Sequence, residues 1–151
     1  MLDLADGAKI IVGTVGTTAI TAGGDWINTE NMHCVWAICT KSAVKASSNQ
    51  FIAQVAESYA GASPSMPVAT YWKSTNIKAL DRLFKTTSST GSVCGTTEGM
   101  VVIRYDPSVS DTSDHYFSVV TPTSGWGCSI IYICEPRYGG VNQFVATTSS
   151  T

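Results

Sequence analysis

The sequence predicts an all-β chain: an antiparallel β-sandwich, jelly-roll-like, with at most one short helix. Three observations carry that expectation. Apolar runs at 100–105, 115–121 and 126–134 follow one another, each rich in Val, Ile, Tyr or Phe and each bounded by Gly, Pro, Ser or Asp. β-Branched and aromatic residues suit the pleated, half-buried surface of a strand, and the bounding residues suit turns. About eight or nine such runs occupy the chain, with turn signals roughly every eight to twelve residues, which is the rhythm of a sandwich. Helical spacing occurs in one short stretch, 76–85, where Ile77, Leu80 and Phe84 recur three and four residues apart.

In chain order, 9–15 (KIIVGTV) reads as the first strand. Gly23-Gly24 makes a turn, 25–28 is a short extended piece, and Thr29-Glu30-Asn31 breaks it. The run 32–40 (MHCVWAICT) is almost continuously apolar, as expected of a strand buried on both faces or crossing a sandwich core, with Trp36 in that core. Polar 41–49 reads as a surface turn. In 50–58 (QFIAQVAES), Ala, Gln and Glu would also suit a helix, but Phe51, Ile52 and Val55 favour a strand. Pro64 and Pro67 exclude 59–67 from a central strand. Residues 68–72 (VATYW) alternate, with Val68, Thr70 and Trp72 on one face. The stretch 76–85 forms either one or two helical turns, capped by Thr75 or Asn76, or a strand over 82–86. Low-complexity 87–98 (TSSTGSVCGTTE) reads as a long exposed loop.

No internal repeat or linker divides the chain, so residues 1–140 are expected to form one domain. Residues 141–151 are expected to form a C-terminal extended arm that docks on a neighbour. Gly139-Gly140 supplies a flexible exit, and Val141, Phe144 and Val145 supply apolar area that a solvated tail does not need.

Charged residues make up 13% of the chain, about half the usual share, and Ser and Thr make up about a quarter. Such a surface suits contact with other subunits, because hydroxyls are easier to desolvate than ammonium or carboxylate groups. It also suits a Thr-rich β-protein without a partner. The net charge is −2 and the nine basic residues are scattered, which argues against nucleic-acid binding. No apolar run reaches the length of a membrane-spanning helix, so no membrane partner is expected. The acidic start Met1-Leu2-Asp3-Leu4-Ala5-Asp6 lacks the basic region of a signal peptide, so synthesis and retention in a cytoplasm are expected.

Five cysteines in such a compartment are expected to be reduced. Cys34 and Cys39, five apart on one strand, face opposite sides. Cys128 and Cys134 share a face but lie roughly 20 Å apart along it. Neither pair closes a local disulfide. Without a Cys-x-x-Cys pair, no zinc site is expected, and the thiols read as small buried hydrophobes.

No catalytic set and no cofactor site emerges. Asp114, His115 and a serine can be assembled into a triad on paper, but serines are abundant and no Gly-x-Ser-x-Gly elbow is present. His33, inside an apolar run, reads as a core or subunit-contact residue. Asp106, Asp111 and Asp114 cluster around a turn started by Asp106-Pro107. Lacking the EF-hand pattern, they read as solvated rather than as ligands for Ca²⁺. Gly13 and Gly16 are followed by no Lys-Ser/Thr, so they form no phosphate loop. Trp26, Trp72 and Trp126 are candidate contact anchors, as core and interface tryptophans often are, and a sugar platform is the alternative use. Trp126, between Gly125 and Gly127, is the best placed for exposure.

Several motifs in order are similar to those of a known family. They are Gly24-Asp25-Trp26-Ile27, then Asn31 and the apolar strand 34–39, then a strand with Gln54 and Glu57, then Thr70-Tyr71-Trp72-Lys73. Met100-Val101-Val102-Ile103, Asp106-Pro107, Asp114-His115-Tyr116-Phe117 and Glu135-Pro136-Arg137-Tyr138 follow. Over roughly residues 8–140 the chain resembles the capsid decoration, or cement, proteins of tailed bacteriophages. The resemblance implies a β-rich fold, an outer-capsid location in the virion, frequent trimers and no enzymatic activity, and it supplies no catalytic residues. The five cysteines and the residues after Gly140 depart from the pattern. The expected partners are then the major capsid protein and further copies of the chain, with a trimer favoured. Trp26, Trp72, Trp126, Arg137, Tyr138, Val141, Phe144 and Val145 are the candidate contacts. A tail or neck component, or a carbohydrate- or receptor-binding β-module of the virion, is the alternative.

Overall fold

The apolar runs fold as strands. A computed structural model describes residues 8–16, 26–41, 49–59, 65, 67–74, 84–88, 92–94, 99–109, 113–120 and 128–137. The strands are β1 (Lys9–Gly16), β2 (Ile27–Asn28), β3 (Met32–Lys41), β4 (Asn49–Ala56) and β5 (Ala69–Ser74), followed by β6 (Phe84–Ser88), β7 (Ser92–Cys94), β8 (Gly99–Tyr105), β9 (Tyr116–Val120) and β10 (Cys128–Pro136). Among the described residues, helix is limited to one 3₁₀ turn, Pro107–Val109. The helix expected within 76–85 lies largely outside the described residues. Of the two readings of that stretch, the strand matches β6 at its start. The exposed loop expected over 87–98 is corrected. Thr87 and Ser88 end β6 against β5, and Ser92–Cys94 pairs with β4. Hydroxyl residues with little strand signal of their own become strand when a neighbour offers a hydrogen-bonding edge.

Among the described residues every strand pair is antiparallel, and the pairs are nested. β1 pairs with β10, β2 with β9, β3 with β8 and β4 with β7, so the chain is one long hairpin of paired strands. The pairs fall alternately into two sheets. β10·β3 joins the first and third, and β4·β9 joins the second and fourth. A hairpin wound over two sheets in this way is a jelly roll. β5 and β6, at the tip of the hairpin, extend the first sheet beside β8. A six-stranded sheet in the order β1-β10-β3-β8-β5-β6 therefore packs on a four-stranded sheet in the order β2-β9-β4-β7.

The alternation of the strands supplies the core between them. β8 turns Val101, Ile103 and Tyr105 inward, and β10 turns Cys128, Ile130, Tyr132 and Cys134 inward. Val35, Ala37 and Cys39 of β3 meet Phe51, Ala53 and Val55 of β4 in the same cluster. Phe117 of β9 is fully buried, stacked on Tyr105 with centroids 4.8 Å apart and edge-on to Tyr132 at 6.2 Å. Burial of one such ring contributes about 1.5–3 kcal/mol.

Two core tyrosines also finish the smaller sheet. Its outer strands are short: β7 reaches only Phe51 of β4, and β2 reaches only Phe117 of β9. Beyond those points the Ala53 N–H donates to the Tyr71 hydroxyl at 3.4 Å, and the Val119 N–H donates to the Tyr132 hydroxyl at 3.2 Å. Further along β4, Val55 exchanges backbone hydrogen bonds with Ser65 at 2.9 Å in each direction. Buried amide groups that no strand reaches are thus satisfied from the opposite sheet and from a loop residue.

Candidate interaction face

An antiparallel sheet in a sandwich ordinarily turns polar residues to solvent on its outer face. On the six-stranded sheet an apolar band replaces much of that polar face. Because Val35, Ala37 and Cys39 point inward, Trp36, Ile38 and Thr40 of β3 point outward. The same parity puts Ile10 and Val12 of β1, Ile131 and Ile133 of β10, Met100, Val102 and Arg104 of β8, and Trp72 of β5 on that face. The register lines them up in rows across the strands. One row runs Val12–Ile131–Ile38–Val102–Trp72, apolar over five strands, and Lys85 of β6 stands opposite Trp72 at its end. Its neighbour runs Ile10–Ile133–Trp36–Arg104–Thr70. Interior members of the rows are half-buried by one another, whereas Ile10 and Val12, on the edge strand, are 53% and 68% exposed.

Trp36 and Trp72 close over the strand between them, their rings stacked with centroids 5.5 Å apart. The Arg104 guanidinium lies 5.7 Å from the Trp36 ring centroid, a cation–π distance, and 3.9 Å from the Asp106 carboxylate. At the same end of the face the Cys34 thiol donates to Glu135 Oε2 at 2.9 Å. Burial, the hydrogen bond to Glu135 and its charge push the Cys34 thiol up to about 11, against the opposing influence of Arg104. Partial burial works to raise the Asp106 carboxyl, but hydrogen bonds from the Ser108 N–H at 3.0 Å and hydroxyl at 2.7 Å, with the Arg104 charge, outweigh it and hold it below the usual range. Arg104 and Asp106, at this end of the band, are therefore engaged with each other. Thr40 and Ser129 share a hydroxyl hydrogen bond of 2.7 Å at the other end.

The sequence-predicted contacts distribute unevenly. Trp72 lies on this face. Arg137 is exposed just past β10, where its N–H donates to the Asn31 carbonyl at 2.9 Å. Trp26 is corrected: at 4% exposure its ring packs inside the subunit and offers no surface to a partner. Trp126, Tyr138, Val141, Phe144 and Val145, and with them the arm, lie outside the described residues. Two further expectations are corrected. Trp36 is not a core residue, because the parity of β3 turns it outward. For His33 only the core reading is corrected, and the subunit-contact reading stands as an expectation: the residue is exposed, because the register slips between Glu135 and Pro136 and leaves it without an opposite residue between Cys34 and Met32. Sequence reasoning missed Ile10, Val12, Ile38, Val102, Ile131 and Ile133 as a surface. Their signal was the failure of β3 and β10 to alternate in polarity.

Cys34 faces outward and Cys39 inward, as the spacing requires, and Cys34, Cys39, Cys128 and Cys134 are buried thiols. Among the described residues no group of His, Cys, Asp and Glu is arranged to hold a metal ion. Asp106 is engaged by Ser108, Asp111 lies outside the described residues, and His115 is exposed, its carbonyl accepting from the Thr29 N–H and hydroxyl at 2.7 and 3.1 Å. On the outer face of the smaller sheet, Ala56, Ser118 and Val120 are buried, and Tyr116 meets Tyr59 edge-on at 6.4 Å. The six-stranded sheet is thus the one whose apolar outer face reaches solvent at its edge. Comparison of the chain with protein-family models, with curated proteins and with solved structures finds no match in any of the three.

Proposed function

We propose that this chain is a structural virion protein, a decoration or cement protein that stabilises the head of a tailed bacteriophage through protein–protein contacts. It sits on the outer surface of the capsid against the major capsid protein and associates with its own copies, a trimer being the form the resemblance implies. Its work is contact rather than catalysis. The observation that carries this reading is the apolar row Val12–Ile131–Ile38–Val102–Trp72 on the outward side of a sheet. A contiguous apolar surface of this kind marks a protein contact site.

The jelly roll is used by viral capsid domains and by lectins, so the fold alone does not choose between a shell contact and a glycan site. The ordered motifs of the sequence favour the shell. The aromatic pair favours it too: Trp36 is already stacked by Trp72 and approached by Arg104, which suits packing against protein better than stacking on a sugar ring. Electron microscopy of purified particles tests the proposal. Density for this chain on the outer head surface is expected, with particles lacking it losing heat resistance. Its absence from particles, or its presence only at the tail or neck, would refute the reading.

A further inference from the structure

We infer that the outer face of the smaller sheet holds one water molecule, which donates a hydrogen bond to Gln54 Oε1 and accepts one from the Ser118 hydroxyl. Parity places both side chains on that face. Ala53 and Val55 of β4 and Phe117 and Val119 of β9 point into the core, so Gln54 and Ser118 point away from it. The register sets the two directly opposite each other on adjacent strands. Side chains paired in this way start about 4.5–5.5 Å apart at Cβ and address a shared space.

Ser118 is fully buried. Among the described residues its Oγ and the buried Oε1 of Gln54 make no hydrogen bond, either to each other or to another group of the chain. Leaving a buried polar atom in that condition is costly, and native proteins satisfy nearly all such atoms with protein groups or ordered water.

The chemistry of the pair and of its neighbours selects the occupant. Gln54 Oε1 only accepts, so the occupant carries a donor, whereas the Ser118 hydroxyl both donates and accepts. The cross-strand pairs on either side are Ile52–Val120 and Ala56–Tyr116, which supply no charge. An ion between them would lie buried without a counter-charge, which is strongly disfavoured. Ala56 and Val120 are themselves only 2% and 6% exposed, so a bulky ligand has no open face by which to enter. Water is small, neutral, and both donor and acceptor, and buried waters ordinarily bridge groups of this kind. Held there, it ties β4 to β9 in one register, since a slip of one residue would turn Gln54 toward the core.

Two measurements on the full chain test the site. In a crystal structure that resolves ordered solvent, a water is expected about 2.5–3.0 Å from both Gln54 Oε1 and Ser118 Oγ. A direct hydrogen bond between the two side chains, or no water between them, would overturn the inference. In solution, oxygen-17 relaxation dispersion counts long-lived internal waters without interference from hydroxyl protons. The double variant Gln54→Leu, Ser118→Ala removes both polar ends with little change of shape, and thermal melting verifies that it is folded. It is expected to hold one long-lived water fewer per chain than the wild type. Equal counts in the wild type and the folded variant would overturn the site, and the crystal measurement decides it without any variant.

Discussion

The thiols illustrate how burial sets chemistry at the scale of one residue. Cys134 sits in the core, where desolvation pushes it up to about 12 despite nearby Lys9, and Cys34 is held near 11 under Glu135. An unfolded thiol titrates at 9.0 on the same scale. A group whose folded value is raised adds stability that is fully present below the unfolded value and is lost as pH rises through the folded one. The melting temperature is therefore expected to hold steady to about pH 8.5 and to fall between roughly pH 9 and 12. Cys34→Ala should flatten part of that fall. A melting temperature unchanged to pH 11 would show that these thiols are not protected. The same burial makes them poor nucleophiles, because the reactive form is the thiolate.

At the scale of the element, the short strands β2 and β7 leave work for side chains of the opposite sheet. Tyr132→Phe removes the hydroxyl that accepts from the Val119 N–H and leaves a buried amide without its acceptor. A loss of about 1–3 kcal/mol is expected in urea unfolding. Tyr71→Phe should lose less, since its contact with the Ala53 N–H is longer, 3.4 Å against 3.2 Å. Equal and negligible losses would mean that water reaches both amides. Neither hydroxyl could have been assigned this part from the chain alone. VATYW and CSIIYIC announce strands, but packing turns their tyrosines inward, and the length of the facing sheet's outer strands decides what those hydroxyls meet.

At the scale of the whole molecule, the described residues form a nested hairpin whose outermost pair joins residues 9–16 to residues 128–134. Each inner pair closes a shorter loop, and loop closure is unfavourable until the pairing contacts repay it. Refolding is accordingly expected on a scale of roughly milliseconds to seconds, as for other β-sandwiches dominated by distant pairings. Stopped-flow tryptophan fluorescence measures it, and microsecond refolding would contradict the nested order. The winding also explains the outer band. It brings β1, β10, β3, β8 and β5 side by side from distant parts of the chain, and the fixed register turns isolated apolar residues into rows.

The amino-acid sequence by itself determined most of the strands. Runs of β-branched and aromatic residues bounded by turn residues are local signals, and β8 and β10 carry both. It also determined that Cys34 and Cys39 lie on opposite faces, since parity within a strand needs no partner. Pairing decided the rest. Ser92–Cys94 became strand because β4 offered an edge, Trp36 turned outward because its neighbours were claimed by the core, and Trp26 was buried rather than presented. The apolar row from Val12 to Trp72 exists only in the sheet, because its five residues come from five strands and become neighbours only through inter-strand register. Local propensity acts over a few residues, whereas register is a property of strands that meet across most of the chain.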